Sequence, residues 1–277
     1  MIFTRNKEYD PRLIEYKKEL DLKLSFFKDE NFRFEEKAHV YTYSGKKFDS
    51  VTTLLKVFKK PFDKEYWSRE KGKERGVDPS VILNEWDVKS KISMDLGTRV
   101  HKFIEDFLSG LDPELNDDED PIYKSRIYKF IYIYENRLKF LLPLESELRI
   151  FCRKWRLAGT IDQPFLYFDP KFTNPFLVLG DWKTNGDFTH DDHPKGRYSK
   201  LLRPFTGLYH NHLNEYSIQI SMYRLMLYEE LGIETQDGFL CHIGPDSPAK
   251  LYKCKDLREP LKVYLDHNRT DLDIFDV

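Results

Sequence analysis

Two apolar runs that each end on a carboxylate constrain this chain more than any other feature. The first reads Ala158-Gly159-Thr160-Ile161-Asp162 and the second Leu177-Val178-Leu179-Gly180-Asp181-Trp182-Lys183-Thr184. Both have the length and composition of strands, and a strand that carries a carboxylate inward has to pair it or give it a metal. Side chains alternate along a strand, so Asp181 and Lys183 share one face and Trp182 takes the other. With the two strands adjacent, Asp162 and Asp181 converge on one hard cation. Lys183 then stands beside it, placed to orient a water or to stabilise developing negative charge. The competing reading is an internal ion pair of Lys183 with either aspartate, serving stability alone, because so short a pattern recurs by chance.

The surrounding pattern predicts an α/β (α+β) fold. The first thirty residues read as a charged helix, with Leu13, Tyr16, Leu20 and Leu24 at helical steps. Residues 39–51 form a hairpin broken at Ser44-Gly45, after which Ser50 caps a short helix. Helices are expected over 63–75, 79–92, 93–108 and 121–142, with Ser93 opening and Gly110 closing the third. The period then changes. Strands are expected over 147–155, 157–168 and 175–182, an irregular stretch over 184–212, a helix over 213–231, strands over 237–243 and 249–254, and a closing helix over 256–266. The chain therefore divides into a mainly helical region, 1–142, and a core, 143–277, packed as one unit.

With 40% apolar and 33% charged residues in 277, neither wholesale disorder nor a fibre is expected. No apolar run approaches the roughly 18 residues of a membrane span, and the opening MIFTRNKEYD carries no apolar leader. Three dispersed cysteines, Cys152, Cys241 and Cys254, fit a reducing cytoplasm and fall short of the four thiolates of an iron–sulfur cluster. Forty-five bases against 47 acids give a net charge of −2, which announces no nucleic-acid binder. The charge is nevertheless segregated. Residues 112–120 are acidic, whereas 56–75 and 195–203 are rich in Lys and Arg, so a basic groove on a neutral molecule is compatible with the sequence.

Other residues gain meaning from this context. Gly97-Thr98-Arg99-Val100-His101 places a histidine on an otherwise apolar helix, where a satisfied core histidine is the plainer expectation. Gln219 and Tyr223 lie four apart on one helix face, an amide and a phenol able to grip a phosphate or lock a metal ligand. His190-Asp191-Asp192-His193 and His210-Asn211-His212 look like ligand clusters but lack a partner with recognisable zinc spacing. The 42 aromatic residues include enough tyrosines on 121–142 (Tyr123, Tyr128, Tyr132, Tyr134) that not all can face inward.

Taken in order, Ser50-Val51-Thr52-Thr53 with Trp67, GTRVH, AGTID, GDWKT and Gln219 to Tyr223 resemble the RecB-like branch of the PD-(D/E)XK nucleases, over roughly residues 39–245. That resemblance implies a restriction-endonuclease-like αβββαβ core and a metal-dependent DNA exonuclease of recombination, repair or replication, working from single-stranded or frayed ends. It implies that His101, Asp162 and Asp181, with the Trp182 carbonyl, hold Mg²⁺ or Mn²⁺, the imidazole favouring Mn²⁺. It further implies that Lys183 supports the attacking water, and that Gln219 and Tyr223 sit beside the site and the DNA. Glu147 matches the glutamate that many members place at the start of the first core strand, while Thr98 and Thr184 belong to the matched motifs. The alternatives are a non-catalytic nucleic-acid-binding protein of the same fold, a structure-specific endonuclease, or a hydrolase of another phosphodiester.

Overall fold

The computed structural model describes residue 3 and residues 9–172, 174–185, 200–245 and 247–269. Helix α1, Pro11–Leu24, begins on Asp10, whose carboxylate accepts from the Arg12 amide at 2.9 Å, and buries Leu13, Leu20 and Leu24. Strands β1 (Phe32–Glu35), β2 (Val40–Tyr43) and β3 (Lys46–Ser50) follow in antiparallel order. The expected hairpin turns at Ser44 and Gly45, both with positive φ (49° and 76°), the left-handed pair that a two-residue turn needs to match strand twist. Ser50 then caps α2, Val51–Leu55, its Oγ accepting from the Thr53 amide at 3.0 Å.

Helix α3 spans Lys64–Arg75 and α4 spans Pro79–Ser109. The two helices expected over 79–92 and 93–108 are therefore one continuous helix of 31 residues. Ser93 sits in its exposed middle rather than at a cap, and neither Gly nor Pro interrupts the backbone there before Gly97. Gly110 ends it in the left-handed conformation, as expected. Helix α5, Pro121–Ile133, is shorter than the 121–142 expected. It loosens into a π-turn at Tyr134–Leu138 before the short strand β4, Leu142–Pro143. Of the tyrosines on this segment, Tyr123 and Tyr134 are buried and Tyr128 and Tyr132 exposed.

The strands that follow are β5 (Leu148–Cys152), β6 (Leu157–Ile161), β7 (Gln163–Tyr167) and β8 (Phe176–Lys183). After helix α6 (His212–Leu231) come β9 (Phe239–His242), β10 (Lys250–Lys253) and helix α7 (Arg258–Arg269). The single strand expected over 157–168 is broken at Asp162, and its halves lie in different sheets. One sheet has the order β1-β2-β3-β6-β5, the other β10-β9-β8-β7-β4. With β6 and β7 taken as two arms of one bent strand, α4, β5, β6/β7, β8, α6 and β9 give the order αβββαβ of a restriction-endonuclease-like core. The architecture is α/β, with a largely helical N-terminal half leading into mixed sheets flanked by helices.

Two apolar cores hold these layers. One joins α1, α2, α6 and α7 to the first sheet and to one face of the second. The other packs α4 and α5 against the opposite face of the second sheet through Phe165, Trp182 and Cys241. Helix α6 is buried on every side from Ser217 to Leu227, which explains why its sequence shows no apolar stripe. Its interior polar groups are consequently paired: Ser221 Oγ donates to the Lys255 carbonyl, and Arg224 donates to the Thr235 hydroxyl and carbonyl. No helix among the described residues is long and apolar enough to cross a membrane.

Candidate metal centre

Strand register builds the site around Asp162. In the first sheet Leu148 pairs with Ile161, so the next residues outward are Glu147 and Asp162, and the Glu147 amide donates to the Asp162 carbonyl at 2.9 Å. In the second sheet Gln163 pairs with Gly180, so the next residues are Asp162 and Asp181. One residue thus faces a carboxylate partner in each sheet. The Asp162 side chain is fixed from below by the Trp182 amide, which donates to Oδ2 at 3.0 Å. Glu147 holds a left-handed backbone (φ 52°), an uncommon conformation for a residue with a side chain, as the chain turns into β5.

Helix α4 delivers the histidine. A Cβ on Gly97 would lie 3.1 Å from Thr184 Oγ1, so the missing side chain lets the helix close on the end of β8. One turn later His101 is half-buried, with Nδ1 3.7 Å from Asp162 Oδ2, facing the carboxylates rather than the core. His101, Glu147 and Asp162 each offer a ligand atom, and these atoms lie within 4.8 Å of one another. This His/Glu/Asp cluster can coordinate a metal ion.

Asp181 and Lys183 occupy the same face of β8, as alternation predicts, and Trp182 is buried on the other against Phe130, Phe165 and Phe239. Asp181 is turned to Lys183, its Oδ2 2.6 Å from Nζ, and is not part of the three-residue cluster. The residue is 1% exposed, and Oδ1 has no hydrogen-bond partner. Burial first, and then the charge of Asp162, push its carboxyl above the usual range, against the pull of Lys183. The Glu147 carboxyl is also raised, by desolvation first and then by Asp162, Glu105 and Asp181, although the residue as a whole is exposed. Lys183 loses solvent, which alone would lower it, yet Asp181 and Asp162 together hold it firmly protonated. Crowded carboxylates, an orphaned buried oxygen and a nearby imidazole form a donor set suited to a divalent cation.

Behind Lys183 stand residues that the sequence reading did not single out. Its ammonium lies 4.3 Å from the ring centre of Tyr216. Asn185 donates to the Tyr216 hydroxyl at 3.3 Å, and the Asn185 carbonyl lies 2.9 Å from Nε2 of the buried His242, the register partner of Lys183 in β9. The available signal was spacing: Tyr216, Gln219 and Tyr223 fall at i, i+3 and i+7 on α6. Gln219 and Tyr223 themselves are buried and bonded to each other at 3.1 Å, with the Tyr223 ring against Gly159. Thr98 is exposed on α4.

The loop histidines go elsewhere. His210 Nε2 lies 2.7 Å from Glu215, which also takes Lys59 at 2.5 Å, and the exposed His212 ring is stacked on Tyr216. His190, Asp191, Asp192 and His193, with most of the basic 195–203 stretch, lie outside the described residues. No family model matches the chain, and no curated protein is significantly similar to it.

Proposed function

We propose that this chain is a Mg²⁺- or Mn²⁺-dependent deoxyribonuclease of the PD-(D/E)XK type, in its RecB-like branch, degrading DNA from single-stranded ends. The observation that carries the reading is the position of Asp162, shared by two sheets and gathered with His101 and Glu147, while a buried Asp181–Lys183 pair stands in register beside it. A structural ion pair would need neither the imidazole nor the third carboxylate. His101, Glu147 and Asp162 would hold the ion, with Asp181 available through its unpartnered oxygen. When bound, a divalent ion polarises a phosphoryl oxygen and lowers the pKa of water.

The chain's own residues supply the remainder. Lys183, kept cationic by Asp181 and Asp162, donates from Nζ to a water or to a non-bridging phosphate oxygen and so orients attack in line. Tyr216 limits where that ammonium can sit. The Trp182 amide fixes one oxygen of Asp162, leaving the other free for ligation.

Digestion of end-labelled single-stranded, duplex and circular DNA in Mg²⁺, Mn²⁺ or EDTA tests the reading. Expected are metal-dependent release from linear single strands, protection of closed circles, and loss of cleavage in Lys183→Ala with DNA binding retained. Cleavage of circular single strands would make the chain an endonuclease. Absence of cleavage with every metal would leave a binding protein of the same fold.

A further inference from the structure

The four tryptophans divide sharply. Trp155 and Trp182 are 0% and 2% exposed, whereas Trp67 is 46% exposed and Trp86 is only partly covered. Trp67 and the partly covered Trp86 lie on the pair formed by α3 and the first half of α4, with Phe62 (62% exposed) and Tyr66 (52%). Phe62 and Trp86 have ring centres 5.8 Å apart, and Tyr66 and Trp67 meet edge-on at 5.2 Å. An ion pair from Lys64 to Asp87 at 3.2 Å ties the start of α3 beside Trp86. Exposed aromatics grouped in this way mark a surface that receives something.

The long helix connects that cluster to the metal centre. Trp86, Ser90, Met94, Gly97 and His101 recur at steps of four, four, three and four, so they fall on one face of α4. This strip carries no ionisable residue until it reaches His101, and Met94 on it is 69% exposed. The fifteen helical steps from Trp86 to His101 span about 22 Å along an α-helix. Most charges of α3 cancel in pairs, Arg69 with Glu65, Lys71 with Glu74, Lys73 with Glu70 and Arg75 with Glu85. Lys56 and Lys60, both exposed and just ahead of Phe62, form no ion pair among the described residues.

We infer that this face of α4 and the Phe62/Tyr66/Trp67/Trp86 cluster form a track for unpaired nucleic acid, with bases stacking on the rings and Lys56 and Lys60 meeting the phosphates. Aromatic faces bind any base without reading sequence, and free lysines favour a polyanion over an apolar protein partner. A strip one helix face wide also suits a single strand rather than a duplex. The track rests on the nuclease reading only for its destination, the phosphate presented at His101 and Asp162.

The test uses Lys183→Ala without divalent metal, so that binding is read without cleavage. End-labelled twelve-nucleotide oligothymidylate should bind, with affinity read from the anisotropy of the label so that every variant is measured alike. In that background Trp67→Ala with Trp86→Ala should raise Kd by roughly tenfold or more, since a stacked base contributes on that order. Phe at both positions should restore long-strand affinity, which separates lost stacking from misfolding. Unchanged affinity for the twelve-mer in the double alanine variant overturns the inference, as does a fall in molecular mass in light scattering with DNA affinity intact, which would make the cluster a contact between copies. If wild-type protein cuts no DNA yet the tryptophans govern strand binding, the catalytic reading fails and the track stands.

Discussion

The ring of Tyr223 fills the space that any side chain at residue 159 would need. A Cβ on Gly159 would stand 2.6 Å from Tyr223 Cε1, inside the contact limit for two carbons. Tyr223 cannot easily yield, because α6 is buried all round and its hydroxyl is held by Gln219 at 3.1 Å. Gly159→Ala should therefore destabilise the fold by about 1–3 kcal/mol, the usual cost of an extra methyl in a packed core. Urea unfolding measures it. Adding Tyr223→Leu should recover part of the loss, and an alanine variant as stable as the parent would show that the ring moves freely.

Metal binding should depend on the residues that converge rather than on the strand carboxylates alone. Asp162→Asn, which touches both sheets, should lower Mn²⁺ affinity most, and Glu147→Gln and His101→Ala by at least about tenfold each, since a charged or imidazole ligand is lost. Titration calorimetry on the purified protein decides the point. Parent-like affinity in all three variants would remove the metal centre.

The raised carboxyls give an unusual pH dependence. Asp181 moves from 3.8 to about 7 in the folded chain, so the folded state holds its proton more tightly than the unfolded state does. Protonation here favours folding. Its contribution is present at low pH and is lost as pH rises from about 4 towards 7, opposite to the usual salt-bridged aspartate. Without metal, the stability of the parent should fall relative to Asp181→Asn across that window, by on the order of a few kcal/mol. Chemical denaturation of both proteins at pH 5 and pH 8, with EDTA, reads this difference. Saturating Mn²⁺ at pH 8 should recover stability in the parent. Parallel pH profiles for the two proteins would show that Asp181 titrates normally.

Tyr216 offers a finer test of the proposed chemistry. Its ring face, not its hydroxyl, meets Lys183, so Tyr216→Phe should keep most of the turnover. Tyr216→Leu should lower kcat by roughly several-fold to thirtyfold with KM little changed, the range expected from a contact of about 1–2 kcal/mol. Equal losses in both variants would shift the role to the hydroxyl and Asn185.

Local signals carried much of this structure. Ser44-Gly45 specified a turn, Ser50 a cap and Gly110 a stop, because each acts through its own backbone neighbourhood. Asp181, Lys183 and Trp182 could be assigned to faces because strand alternation is strict. Continuity of α4 through Ser93 was hidden, since a serine that caps and a serine that merely faces solvent look alike in sequence. The break at Asp162 was hidden for a different reason. Residues 157–168 are mostly apolar on either side of Asp162 and Gln163, and the change of sheet is a tertiary event. Pro164, a poor ladder donor in mid-strand, was the one local hint. Glu147 entered only by resemblance, because its place opposite Asp162 depends on hairpin register and a left-handed backbone turn. Tyr216 escaped notice because its role depends on a strand more than thirty residues away.

The bend at Asp162 also sets a timetable. Its two neighbours in register, Glu147 and Asp181, belong to separate sheets, and the second of these is incomplete until β9 lies beside β8. A nascent chain still missing residues 239–242 has its histidine, its glutamate and both aspartates, but the edge of β8 that will pair with β9 is still open. The strand that carries Asp181 and Lys183 thus presents an unpaired edge until the chain has grown more than fifty residues past it.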